Sequence, residues 1–171
     1  MVLKILKYGA PVLEQAAAKV SQFDNSDLQQ LIEDMFETMY AAKGVGLAAP
    51  QVGISQRVTV IDISVGEDES KKLVLINPEI MTREGTQVGE EGCLSIPGFR
   101  EPVTRAHKVT VKAHNHKGEQ IEVSGEELLA RALQHEIDHL NGKLFINHLS
   151  ALKRDIIRRK IKKMQKAGEW D

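Results

Sequence analysis

Cysteine is almost absent from this chain: Cys93 is the only one in 171 residues. An internal disulfide is therefore excluded, a reducing compartment is favoured, and the lone thiol is left to pack or to bind a metal. Long apolar runs are missing too. Nowhere do eighteen apolar residues follow one another, and Met1–Lys7 has no continuous apolar stretch. Neither a spanning helix nor a secretory leader is expected, and a soluble cytoplasmic protein without a membrane partner is predicted. Net charge is scarce as well: 23 Lys and Arg against 24 Asp and Glu leave -1, which argues against a chain built throughout to bind nucleic acid. What is present is 42% hydrophobic residues, enough for a single domain over residues 1–171 with a substantial core.

Periodicity places three helices. Ser26 with Gln29 reads as a capping box, followed by Leu28, Leu31, Ile32, Met35, Phe36 and Met39 at helical spacing, with a stop at Gly44. A second helix is predicted from Ser124, paired with Glu127, to Gly142. The third, over 150–166, carries Leu152, Ile156, Ile157, Ile161 and Met164 as its stripe, and eight Lys or Arg are countered inside it only by Asp155. It holds no aromatic residue to stack on a base, so a solvated basic helix and one that docks on RNA phosphates both remain open. Between the first two helices, Arg57–Ile63 and Lys72–Ile76 read as strands, the second ended by Asn77-Pro78. Another strand pair is expected around Glu84-Gly85, and three more strands at Val103–Arg105, Lys108–Ala113 and Gln120–Val123, the last two joined by Asn115-His116-Lys117-Gly118. His107, His114 and His116 read as surface residues of that hairpin.

The second helix holds Gln134-His135-Glu136-Ile137-Asp138-His139, a His-Glu-x-x-His spacing. Histidines four residues apart project from nearly the same side of a helix, which suits two imidazoles on a divalent metal, with the carboxylate handling the proton of a water. On the wheel, Leu129, Leu133, Ile137 and Leu140 make one apolar face and Leu128, Ala132, His135 and His139 an adjacent one, leaving Arg131, Gln134 and Asp138 as a narrow polar side. Histidines buried in this way need a ligand or a defined hydrogen-bond network. The spacing alone decides nothing. Two common peptidase variants fail here: one needs histidine where the chain has Phe145, the other an acid where it has Arg158–Lys163. The remaining soft donor is Cys93.

Three separated motifs carry a family resemblance: Gly44-Val45-Gly46-Leu47-Ala48-Ala49-Pro50-Gln51, Glu91-Gly92-Cys93-Leu94-Ser95 and the histidine helix, in that order. Together they make the chain similar to the peptide deformylases, with Glu-Gly-Cys-Leu-Ser in the form of the bacterial-type branch. The resemblance implies Cys93, His135 and His139 on one divalent metal per chain, with Fe2+ expected and Zn2+, Ni2+ or Co2+ also accepted by such a set. It implies Glu136 as general acid and base, with the Gln51 amide and the Leu94 N–H stabilising the formyl oxygen. The implied substrates are N-formylmethionyl nascent peptides, contacted through Val45, Gly46, Leu128, Ala132 and Arg100. The basic last helix then gains the ribosome as a partner. A general zinc endopeptidase and a non-enzymatic, metal-stabilised ribosome-binding module are the alternatives. The expected fold is α+β: short antiparallel sheets wrapped around the central metal-binding helix, with the N-terminal and C-terminal helices packed outside.

Overall fold

The computed structural model describes residues 1–170; of the expected 1–171 unit, only Asp171 lies outside the described residues. Three helices and seven strands alternate with short 3-10 turns: α1 (Ser26–Ala41), β1 (Gly46–Ala48), β2 (Val58–Ile61), β3 (Leu73–Glu84), β4 (Gln87–Cys93), β5 (Ile96–Arg105), β6 (Lys108–His114), β7 (Gln120–Glu126), α2 (Glu127–Leu140) and α3 (Ala151–Lys166). Five strands form an antiparallel sheet in the order β1-β2-β3-β6-β7, and β4 and β5 form a separate hairpin.

The packing follows the apolar stripes. Met35, Phe36 and Met39 of α1 bury themselves against Leu47, Val58, Val60 and Ile76. Ala130, Leu133 and Ile137 of α2 pack on Ile61, Leu75, Val109 and Val111. Strand β2 contributes to both clusters and is buried at all four positions, so it reads as a continuous Val-Thr-Val-Ile run instead of an alternating one. A third cluster holds Ile157 and Ile161 of α3 against Ile96, Val103, Phe145 and Trp170. The α+β architecture expected from the sequence is the one observed, with α2 at its centre.

Several local readings are corrected. Asn25, not Ser26, caps α1, its side chain accepting from the N–H groups of Asp27 and Leu28, and the helix ends at Ala41, before Gly44. Ser124 does not cap α2. It stays in β7, its hydroxyl 3.0 Å from Thr110 Oγ1 across the sheet, and the chain turns into the helix at Glu127 with a positive φ of 52°. Asn77-Pro78 does not end β3. Asn77 takes a φ of 52° at a register shift between Ile76 and Glu79, and its amide bonds the backbone of Val20 in both directions. The missing N–H of Pro78 costs nothing at such a bulge. The segments either side of Gly85 do not pair with one another; β3 pairs with β6 and β4 with β5. His114 is not a free surface residue, because its ring lies 5.0 Å from that of Phe23. The α3 stripe splits: Ile157 and Ile161 are buried, while Leu152 is 71% and Ile156 42% exposed. The polar side of α2 is also covered, as the site shows.

Candidate metal centre and cleft

The site is built where α2 meets the β4–β5 hairpin and the edge strand β1. His135 and His139, one helical turn apart, bring their Nε2 atoms within 3.2 Å of each other. Cys93 arrives at the end of β4, where the hairpin register shifts between Glu91 and Cys93, and its Sγ stands 3.3 Å from His139 Nε2. Such irregularities re-aim side chains. The three donor atoms all lie within 4.8 Å of one another.

This donor set fits a divalent ion. Metal–nitrogen bonds of about 2.05 Å at tetrahedral angles separate two nitrogen ligands by about 3.3 Å, close to the distance found. Burial would raise the Cys93 thiol, but His139 and His135 beside it outweigh burial and bring its pKa down to about 5, so the thiolate a metal requires is the form present near neutrality. Glu136 Oε1 and His139 Nδ1 are buried without hydrogen-bond partners. Burial raises the carboxyl of Glu136 above its ordinary value, against the pull of the two histidines.

Gln51 comes from the turn after β1. Its Oε1 accepts from the Ala48 N–H at 3.0 Å, so its Nε2 is the end left to face the site, 3.1 Å from Ser95 Oγ and 3.6 Å from Cys93 Sγ. One end of this amide is thus held by the backbone, and the other faces Ser95 and the thiol of Cys93. The Leu94 N–H makes no hydrogen bond among the turn and loop contacts of the described residues. Gly46 is required by contact: a Cβ there would stand 2.6 Å from Glu136 Oε2 and 2.9 Å from Glu136 Cδ. Gly46→Ala should therefore displace the Glu136 carboxylate and, with Glu136 in the acid–base role that the resemblance implies, lower kcat roughly a hundredfold, the low end of what such a group supplies, with metal content unchanged. Steady-state rates beside metal analysis check it, and an unchanged kcat would rule out that dependence.

A cleft of about 570 Å³ runs past these groups. Val45, Gly46, Ala132 and Arg100 all line it, as do Gln51, Cys93, Leu94, His135 and Glu136, while Leu128, 50% exposed, stands at its rim. His139 sits behind them, 1% exposed. Arg100 is exposed and lies 3.7 Å from Glu90.

Glu91 was legible in the sequence only as a letter of its motif, yet it is the hub of the polar side of α2. Its Oε1 lies 2.8 Å from His135 Nδ1, and Arg105 bonds both carboxylate oxygens at 2.7 and 2.9 Å. Arg131 bonds Oε2 as well, and Arg105 continues outward to Asp138 and His148. Burial would push Glu91 up, but Arg105 and His135 hold it far below the usual carboxylate range. A carboxylate in that place fixes His135 with Nδ1–H toward Glu91 and Nε2 free for a metal. One signal was available in advance: Arg131, His135 and His139 recur every fourth residue.

A thiolate and two imidazoles at ligand spacing, a buried carboxylate beside them and an open cleft define a metal-dependent hydrolase. The comparisons with known proteins make this particular. The family model described as polypeptide deformylase matches residues 2–155. A peptide deformylase of Acidobacterium capsulatum is 62% identical over 170 residues, covering 99% of each chain. One of Alkalilimnicola ehrlichii is 52% identical over 167 residues, 98% of this chain and 93% of the other. A crystal structure of a peptide deformylase from Legionella pneumophila superposes with a TM-score of 0.91 at 51% identity, covering 100% of this chain and 99% of that one. The chain belongs to the peptide deformylase family, hydrolases that remove the N-formyl group from new polypeptides. No helix among the described residues is long and apolar enough to cross a membrane.

Proposed function

We propose that Cys93, His135 and His139 hold one divalent metal, Fe2+ in the working enzyme, and that Glu136, Gln51 and Leu94 carry out deformylation of N-formylmethionyl peptides around it. The observation that carries this reading is the convergence of the three donors beside a buried, unpartnered Glu136 oxygen. An ion there would lower the pKa of the attacking water and polarise the formyl oxygen. Glu136 takes the proton of that water and returns it to the departing amine nitrogen, which frees formate and the new N-terminus. Its burial-raised pKa suits a group that must both accept and release a proton. Gln51 Nε2 and the Leu94 N–H donate to the carbonyl oxygen as negative charge gathers there; one such donor is worth about 2.7–4 kcal/mol in other enzymes.

Strand β1 is the edge of its sheet, paired only with β2, so an extended peptide can add alongside Gly46 as a further strand. Val45, Leu128 and Ala132 then receive the first side chain, and Arg100 meets the peptide beyond it. The chain works as one domain in the cytoplasm. Its α3, with Leu152 and Ile156 exposed among basic residues, docks on the ribosome; charge reversal at the exposed Arg159, Lys162 and Lys163 would weaken that binding while sparing a short peptide, because Ile157, Ile161 and Trp170 stay in the core.

Anaerobically iron-loaded protein should release formate from formyl-Met-Ala-Ser and leave Met-Ala-Ser intact. Cleavage of the unformylated peptide without formate release is the endopeptidase outcome and overturns the proposal.

A further inference from the structure

Arg131 lies on α2 between the cleft residues Leu128 and Ala132 and is itself part of the cleft wall. Only 8% of it is exposed. Its Nη1 bonds Glu91 and the carbonyl of Val103, and its Nη2 reaches Gln87 Oε1 at 3.4 Å. Glycine at position 89 makes room for it: a Cβ there would stand 3.3 Å from Arg131 Nη2, 3.5 Å from Cζ and 3.7 Å from Nε. The guanidinium therefore packs closely against β4 at Gly89. Both protons of Nη1 and one of Nη2 are used, and Nε–H with the remaining Nη2–H has no partner among the described residues. That unpartnered Nε is not among the atoms sealed from solvent. A guanidinium presents Nε–H and one Nη–H as a parallel fork toward an oxygen acceptor.

We propose that this free edge of Arg131 is a specificity-determining wall of the first side-chain pocket. Resting on the deformylase reading of the cleft, it admits a side chain of methionine length that carries an acceptor oxygen near its tip, methionine sulfoxide above all. Leu128 and Ala132 supply apolar surface for the methylene stem, and Arg131 supplies donors for its tip. A pocket with donors in place discriminates by whether the ligand satisfies them. An apolar residue of similar volume at position 131 would leave a sulfoxide oxygen desolvated and unbonded.

The test compares formyl-methionine-sulfoxide-Ala-Ser with formyl-norleucyl-Ala-Ser on the iron-loaded full chain, reading kcat/KM for each from formate release. Losing Arg131 also removes one of the bonds to Glu91, so both rates fall together if its role is only structural. The ratio between the two peptides is free of that effect. In Arg131→Met the ratio of sulfoxide to norleucine peptide should drop about tenfold, as loss of a charged hydrogen bond implies. Arg131→Lys, which keeps the charge without the fork, should fall between parent and Met variant. A ratio within twofold of the parent in both variants overturns the proposal. Failure of the parent to release formate from either peptide overturns the deformylase reading itself and takes this inference with it.

Discussion

Glu136→Gln is expected to lower kcat for formate release about a thousandfold, within the 10²–10⁴ range that a positioned acid–base group supplies, while metal content stays at one ion per chain. Glutamine keeps the volume and one oxygen acceptor in a position that is 4% exposed, so packing against Gly46 survives. What it removes is the capacity to take a proton from water and hand it to the leaving amine. The donor triad is untouched, because the three converging ligand atoms come from Cys93, His135 and His139 and not from Glu136. A formate-release assay beside metal analysis separates the two roles. Undiminished turnover in the glutamine variant would sink the assignment of Glu136 as proton carrier, and loss of the metal would make it a ligand instead.

Glu91→Ala should be the most destabilising single change at the site. Glu91 is 5% exposed and lies between Arg105, itself 5% exposed, Arg131 and His135. Replacing a buried ion pair with apolar groups can be neutral, but removing one partner leaves the other charge buried and uncompensated, at a cost of about 3–5 kcal/mol. Arg105 retains Asp138 at 2.6 Å, which places the expected loss at about 3 kcal/mol, the lower end of that range. Metal affinity should fall as well, by roughly 10–100-fold, since His135 loses the group that sets its tautomer and ring orientation. Urea unfolding of the metal-free protein reads the first effect and competition with a chelator the second. A variant with wild-type urea midpoint and metal affinity would show that the network contributes nothing.

The same carboxylate sets a direction with pH. Its folded pKa lies below its unfolded value, so the folded protein binds that proton less tightly than the unfolded chain does. Its stabilisation is present in full above about pH 4.5, the unfolded value, and is lost as pH falls toward the folded one. Glu91→Ala should accordingly flatten the acid limb of a stability profile.

Much of the chemistry lies in local spacing and was legible there. His135 and His139 share a helix face because of the helical repeat, and Glu136 follows one step around. The stripes of α1 and α2 were readable for the same reason, and the Asn115–Gly118 turn by its residue types. Boundaries failed where tertiary pairing overrode a local signal. Ser124 carries the residue types of a helix cap, yet Thr110 across the sheet holds it in β7. Asn77-Pro78 has the look of a strand end, yet the backbone of Val20 anchors the asparagine and β6 pairs on both sides of the bulge. Arg131, Gln134 and Asp138 look like a solvent face on a wheel, because a wheel does not show that the β4–β5 hairpin covers that side.

The sequence by itself determined which groups are available: two imidazoles and a carboxylate on one helix, a lone thiol about forty residues before them, and the small residues that permit close approach. Only the tertiary structure decided that Cys93 Sγ meets His139 Nε2 at 3.3 Å and that Gln51 turns its donor end inward. It also decided that Glu91 is shared by two guanidiniums and His135. The reason is physical: helical periodicity fixes neighbours three and four residues apart, whereas contacts across forty or more residues depend on how sheets and helices bury their apolar faces.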